Sequence, residues 1–111
     1  MNKIVTKEYL IRELGIRPIE VIGRTLVAIF KNQTQEERSN NVTRFHNGIG
    51  FTGTDGRIGA ITAKYYLKHG TLLDWQIRNW TLPNRKGTPR IVKYADQLDK
   101  IAKQKLNLQI A

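Results

Sequence analysis

The chain has 111 residues, 40% of them hydrophobic, and carries 19 Lys and Arg against 9 Asp and Glu, a formal charge of +10. That length suits one domain of roughly 100–150 residues, and Ile, Leu and Val spread throughout exclude a disordered basic tail. The lack of cysteine excludes a disulfide scaffold and Cys-ligated zinc modules, and it fits a reducing cytosol.

The first predicted element is a helix over residues 7–14, capped by Thr6 and stopped by Gly15. Arg17-Pro18 opens a second helix over 18–31, with Pro in the first turn, where its missing N–H does no harm. Ile19, Ile22, Leu26, Ile29 and Phe30 share one face, which makes this the central buried helix. Thr34 and Glu37 have capping-box spacing and predict a brief third helix to residue 39.

Residues 40–53 are rich in Asn, Thr and Gly and read as a structured loop, with room for a short hairpin. Thr54 or Asp55 caps the next helix, 56–69, which Gly70 ends. Thr71 and Asp74 repeat the capping-box pattern before a short helix over 73–81. Residues 83–87 form a turn, and Thr88-Pro89 starts a last helix reaching residue 105. The expected fold is mainly α: a compact bundle of five or six short helices with a Gly/Asn-rich loop. It is read as one domain, 1–111, with N-terminal helices over 1–38, the loop over 39–54 and a basic helical part over 55–105. The longest apolar stretch, 26–30, is too short to cross a bilayer, and no apolar signal region opens the chain. A soluble cytoplasmic protein is expected.

The charge is uneven. Residues 1–38 hold a net +2, whereas 39–111 hold +8. A field of that size favours polyanions, and nucleic acid is the first partner to consider. On the last helix Ile91, Tyr94, Ala95, Leu98 and Ile101 fall on one face. Arg90, Lys93, Gln97, Lys100 and Gln104 fall on another. This second stripe reads either as a phosphate-binding face or as an ordinary solvated one. The Arg85-Lys86 turn at the same helix's N-terminus favours phosphate. On helix 73–81, Leu73, Ile77 and Trp80 point to the core, while Trp75, Arg78 and Asn79 lie on other sides. Trp75 stacks on bases in one reading and packs against a neighbouring helix in the other. Helices 56–69 and 73–81 have helix-turn-helix proportions, although Tyr66 stands where that motif has a small residue.

The glycine segment 47–53 lacks the Lys-Ser/Thr ending of a P-loop. It reads as an architectural turn using positive φ, anchored by Phe51, with a backbone–phosphate contact as the other option. Catalysis finds little support: His46 and His69 are the only histidines, and His46 with Asp55 is a thin metal set. His69 suits a helix C-terminus. No enzymatic activity, metal or cofactor is expected.

The segments Leu26-Val27-Ala28-Ile29-Phe30, Gln33, Glu36-Glu37, Asn47-Gly48-Ile49-Gly50-Phe51 and Asp55 form a pattern. It continues with Leu73-x-x-Gln76 and Lys93-Tyr94-x-x-Gln97-Leu98. Together they resemble a small helical module of phage- and plasmid-encoded helicase-like or endonuclease-like proteins. The resemblance spans residues 26–98 and includes no catalytic motif. It implies DNA association, a mobile-element origin and, for a phage protein, residence in the host cytoplasm.

The resulting expectation is a DNA-binding protein that represses or regulates by occupying duplex DNA. Phosphates would be held by Arg85, Lys86, Arg90, Lys93 and Lys100, and bases by Trp75, Arg78, Asn79 and Gln97. Five neutralised phosphates give a salt slope of about −4 to −5, and neutralising Arg85, Lys86, Arg90 and Lys93 should abolish binding with the fold intact. A two-fold site would favour a homodimer. The alternatives are an inhibitor docking on an acidic host or competitor protein, and an RNA-binding protein.

Overall fold

Pro18 shapes the first third of the molecule. It drives Arg17 off helical geometry, to φ −143° and ψ 73°, and so ends α1 (Lys7–Ile16). Gly15, the expected stop, stays inside the helix. Thr6 caps α1 as expected, its Oγ1 accepting the Tyr9 N–H at 3.1 Å. The structure, a computed structural model, describes residues 4–40 and 50–110, with side chains over 4–32 and 50–105.

From Pro18 the chain runs as one helix, α2 (Pro18–Asn40), through the expected break at 32–34. Neither proline nor glycine follows Gly23 in this stretch, and Asn32 bonds back onto the Ala28 carbonyl at 2.8 Å. A Thr and a Glu three apart fit a helix interior as well as a cap, so the separate third helix does not form. The expected loop falls mostly on residues 41–49, which lie outside the described part. Ile22, Leu26 and Ile29 of α2 are fully buried, which makes it the central helix.

α3 (Gly56–His69) lies along α2. The approach needs Gly23: a Cβ there would sit 2.3 Å from the Tyr66 ring. Tyr66 thus finds its small neighbour on α2. Gly70, at φ 68°, ends α3 as predicted. α4 (Asp74–Thr81) starts one residue later than expected, and Thr71 does not cap it. The N-cap is Leu73, whose N–H donates to Gln76 Oε1 at 2.8 Å. Gln76 and Trp80 are buried, while Leu73 stays 43% exposed; Gln76 takes the inward position assigned to Leu73. Trp80 Nε1 reaches Thr62 Oγ1 at 3.3 Å and so ties α4 to α3.

The final element departs most in phase. Residues Arg90–Tyr94 form a 3-10 turn that runs directly into α5 (Ala95–Ile110). Each residue of a 3-10 turn advances about 120° rather than about 100°, so the faces of Arg90–Tyr94 and of α5 are not one stripe. Ile91, Val92, Tyr94, Ala95 and Ile101 are buried. The first four join Leu10, Leu14, Phe51, Leu72 and Trp80 around α2 in a mainly helical bundle. Asp99 anchors the N-terminal segment: its Oδ1 accepts the N–H groups of Ile4 (2.5 Å) and Val5 (2.9 Å). Lys103 meets its other oxygen at 2.9 Å. The Val5 N–H, then Lys103 and the Ile4 N–H, hold the Asp99 carboxyl below the usual range against some desolvation. Among the described residues no helix is long and apolar enough to cross a membrane.

Candidate nucleic-acid interface

The turn between α4 and the 3-10 segment is tightly specified. Asn84 Oδ1 accepts the N–H groups of Lys86 (2.8 Å) and Thr88 (3.0 Å). Gly87, at φ 79°, donates its N–H to the Asn84 carbonyl at 3.0 Å. That left-handed conformation favours glycine, because a side chain would be strained there. Thr88 O accepts the Asn84 N–H at 2.8 Å, and Leu82 O accepts the Arg90 N–H at 2.9 Å. All of this bonding is internal to the turn and its flanks, so the Arg85 and Lys86 side chains are left pointing into solvent as exposed cations.

Beside this turn lies a groove of about 660 Å³. Its lining includes Lys7 at the start of α1, Arg85 and Lys86 on the turn, and Arg90 and Lys93 on the 3-10 segment. Among the described residues five cations meet there, and no carboxylate lines the groove. Lys7, Arg85 and Lys86 make no ion pair among the described residues.

Arg90 and Lys93 are held differently. Below them sits Asp55, fully buried. It is the N-cap residue of α3, but its side chain makes no capping bond. Instead Oδ1 accepts from the Arg90 guanidinium, through Nε at 3.0 Å and through Nη2. Oδ2 takes Lys93 Nζ at 2.6 Å and the Tyr94 hydroxyl at 2.5 Å. The spacing of a 3-10 turn makes this possible, because residues three apart lie one above the other. Burial pushes the Asp55 carboxyl up, but the bonds from Lys93, Tyr94 and Arg90 outweigh it, and the group is held below its usual range as an anion. Burial, then the bond to Asp55, pushes Tyr94 up to about 12, so its hydroxyl remains a donor at neutral pH. Arg90 also donates to Asn79 Oδ1 at 3.1 Å and lies 5.2 Å over the Trp80 ring.

The residues expected to contact nucleic acid therefore divide. Arg85, Lys86, Arg90 and Lys93 come together in the groove, whereas Lys100 is exposed on α5 and does not line it. Gln97 spends its amide on the chain itself: Oε1 accepts the Gly50 N–H at 2.8 Å, and Nε2 donates to Gly50 O at 3.0 Å. Asn79 is half-buried on Arg90, with its Nδ2 buried and unpartnered among the described residues. Trp75 and Arg78 are exposed on α4. Lys7 was absent from the expected set; it lies 78 residues from Arg85 in sequence, so no local pattern joins them.

Of the glycine segment, Gly50 to Gly53 is described. Phe51 is buried edge-on to Tyr94, as an anchor should be. Gly53 does not use positive φ. Residues 47–49 and His46 lie outside the described part. His69 ends α3 with its ring 4.3 Å from that of Tyr65. Among the described residues no three His, Cys, Asp or Glu side chains cluster as a metal site would require. No protein-family model, curated protein or solved structure matches the chain.

Proposed function

We propose that this chain is a non-enzymatic DNA-binding protein that grips duplex DNA by its phosphates in the cationic groove. It would act by occupying its site, as a repressor or regulator of a phage or other mobile element does. The observation that carries the reading is the groove itself, where five cations converge without a carboxylate among the described lining residues. Lys7, Arg85 and Lys86 are available to a ligand in full. Arg90 and Lys93 bring two positive charges to the single negative charge of Asp55, so their side of the groove also keeps a net +1. Neutralising phosphates in this way releases condensed counterions, the main sequence-independent source of DNA affinity.

Mobility-shift titrations of the full chain with duplex DNA, single strands and structured RNA as competitors test this directly. The reading expects a duplex complex that weakens steeply with salt. A complex with an acidic protein and no shift of any nucleic acid would overturn it in favour of an inhibitor.

A further inference from the structure

We propose that the outward face of α4 is a stacking platform for an unpaired nucleobase. The ligand would then be DNA with a single-stranded stretch beside the phosphates in the groove. The inference rests on the reading of that groove as a phosphate seat.

α4 has two tryptophans with opposite fates. Trp80 is completely buried and bonded to Thr62, which meets the helix's need for a core aromatic. Trp75 stays 49% exposed. Arg78 follows at i+3 and Leu82 at i+7, so the three side chains form one line along the helix surface. Arg78 has no acidic partner among the described residues. Leu82 is 52% exposed and itself lines the groove. The line therefore leads from Trp75 into the cations.

Its length is about 10 Å over two helical turns, or about three nucleotide rises of a stacked strand at 3.4 Å each. Charge sets the direction. Asp74 in the first turn complements the helix dipole and repels phosphate at that end, while Arg78 and the groove attract it at the other. A strand laid along α4 thus places its backbone toward Arg78 and Arg85 and a base on Trp75. An indole face with an adjacent guanidinium is the combination that holds unpaired bases without regard to sequence. In a blunt duplex only the terminal pairs have an open face, because every other base is stacked on both sides.

Because Trp80 is shielded, quenching of tryptophan emission by a bound base reports on Trp75. The full chain is titrated with a blunt duplex, the same duplex carrying a short thymine overhang, and the thymine strand alone. The proposal expects quenching with the overhang and a gain over the blunt duplex of about tenfold. W75A should remove that gain with its melting temperature unchanged, and W75F should keep part of it. Equal affinities without quenching, or a W75A variant that keeps the preference, would overturn the platform while leaving the groove reading in place. Single-strand binding with quenching but no duplex binding would support the platform and refute the duplex reading. Failure to bind any of the three probes would refute both.

Discussion

On one side of the groove Arg90 and Lys93 converge on the buried Asp55. On the other, Arg85 and Lys86 stand on a turn held together by Asn84 and by backbone bonds, with no carboxylate partner among the described residues. The charges are the same in kind, but their surroundings separate their roles. A cation above a buried anion belongs first to the fold, since removing it strands a charge in a low-dielectric place. A cation whose backbone is fixed while its head is solvated costs little to remove and is free for a ligand. Neutralising all four residues at once therefore confounds binding with folding, and the expectation of an intact fold after that change does not follow from the geometry.

The largest expected effect breaks the structural side. D55N leaves Arg90 and Lys93 without their shared anion and should destabilise the fold by about 3 kcal/mol, measured by urea denaturation. R90A should follow at about 2 kcal/mol, because Lys93 and Tyr94 still serve Asp55. On the ligand side, R85A/K86A should change stability by less than about 0.5 kcal/mol. It should also lower the salt slope of DNA binding by about 1.8, for two phosphates at about 0.9 each. Equal destabilisation by R85A/K86A and R90A would erase the distinction.

Acid gives a gentler test. Asp55 and Asp99 are held below their ordinary range in the folded state. The stability they confer is fully present above the unfolded carboxylate pKa and is lost as pH falls through the lowered folded values. D55N should flatten the decline in melting temperature below about pH 4, whereas R85A/K86A should leave it unchanged. D99A is the smallest change: faster amide exchange at Ile4 and Val5, whose shared acceptor it removes, with a smaller fall in melting temperature than R90A gives.

Much of this architecture could be read from the residues. Gly70, the apolar face of α2, the bounds of α3 and the turn after Leu82 all follow from local chemistry that acts within a few positions. What escaped reading was nonlocal or a matter of phase. The end of α1 turned on whether Gly15 or Pro18 acts first, and proline's steric demand on Arg17 prevails. The 3-10 start of the last helix rotated Arg90 and Lys93 onto Asp55, and an α-helical wheel cannot show that. Several residues that carry the resemblance are structural in the same way. Gly50 is clamped by Gln97, Phe51 stands edge-on to Tyr94, Asp55 takes the Tyr94 hydroxyl, and Gln76 caps α4. Gln97 looked like a base reader because an exposed amide and a clamped amide leave the same mark in a sequence.

The central claim is that three open cations, Lys7, Arg85 and Lys86, carry the phosphate contacts while Arg90 and Lys93 chiefly hold the fold. The salt dependence of duplex DNA affinity, measured for the parent chain and for R85A/K86A, tests it most directly. A slope of about −3 is expected for the parent, smaller than five freely available cations would give, and about −1 for the variant. A parent slope near zero, or a slope that the double substitution leaves unchanged, would contradict it.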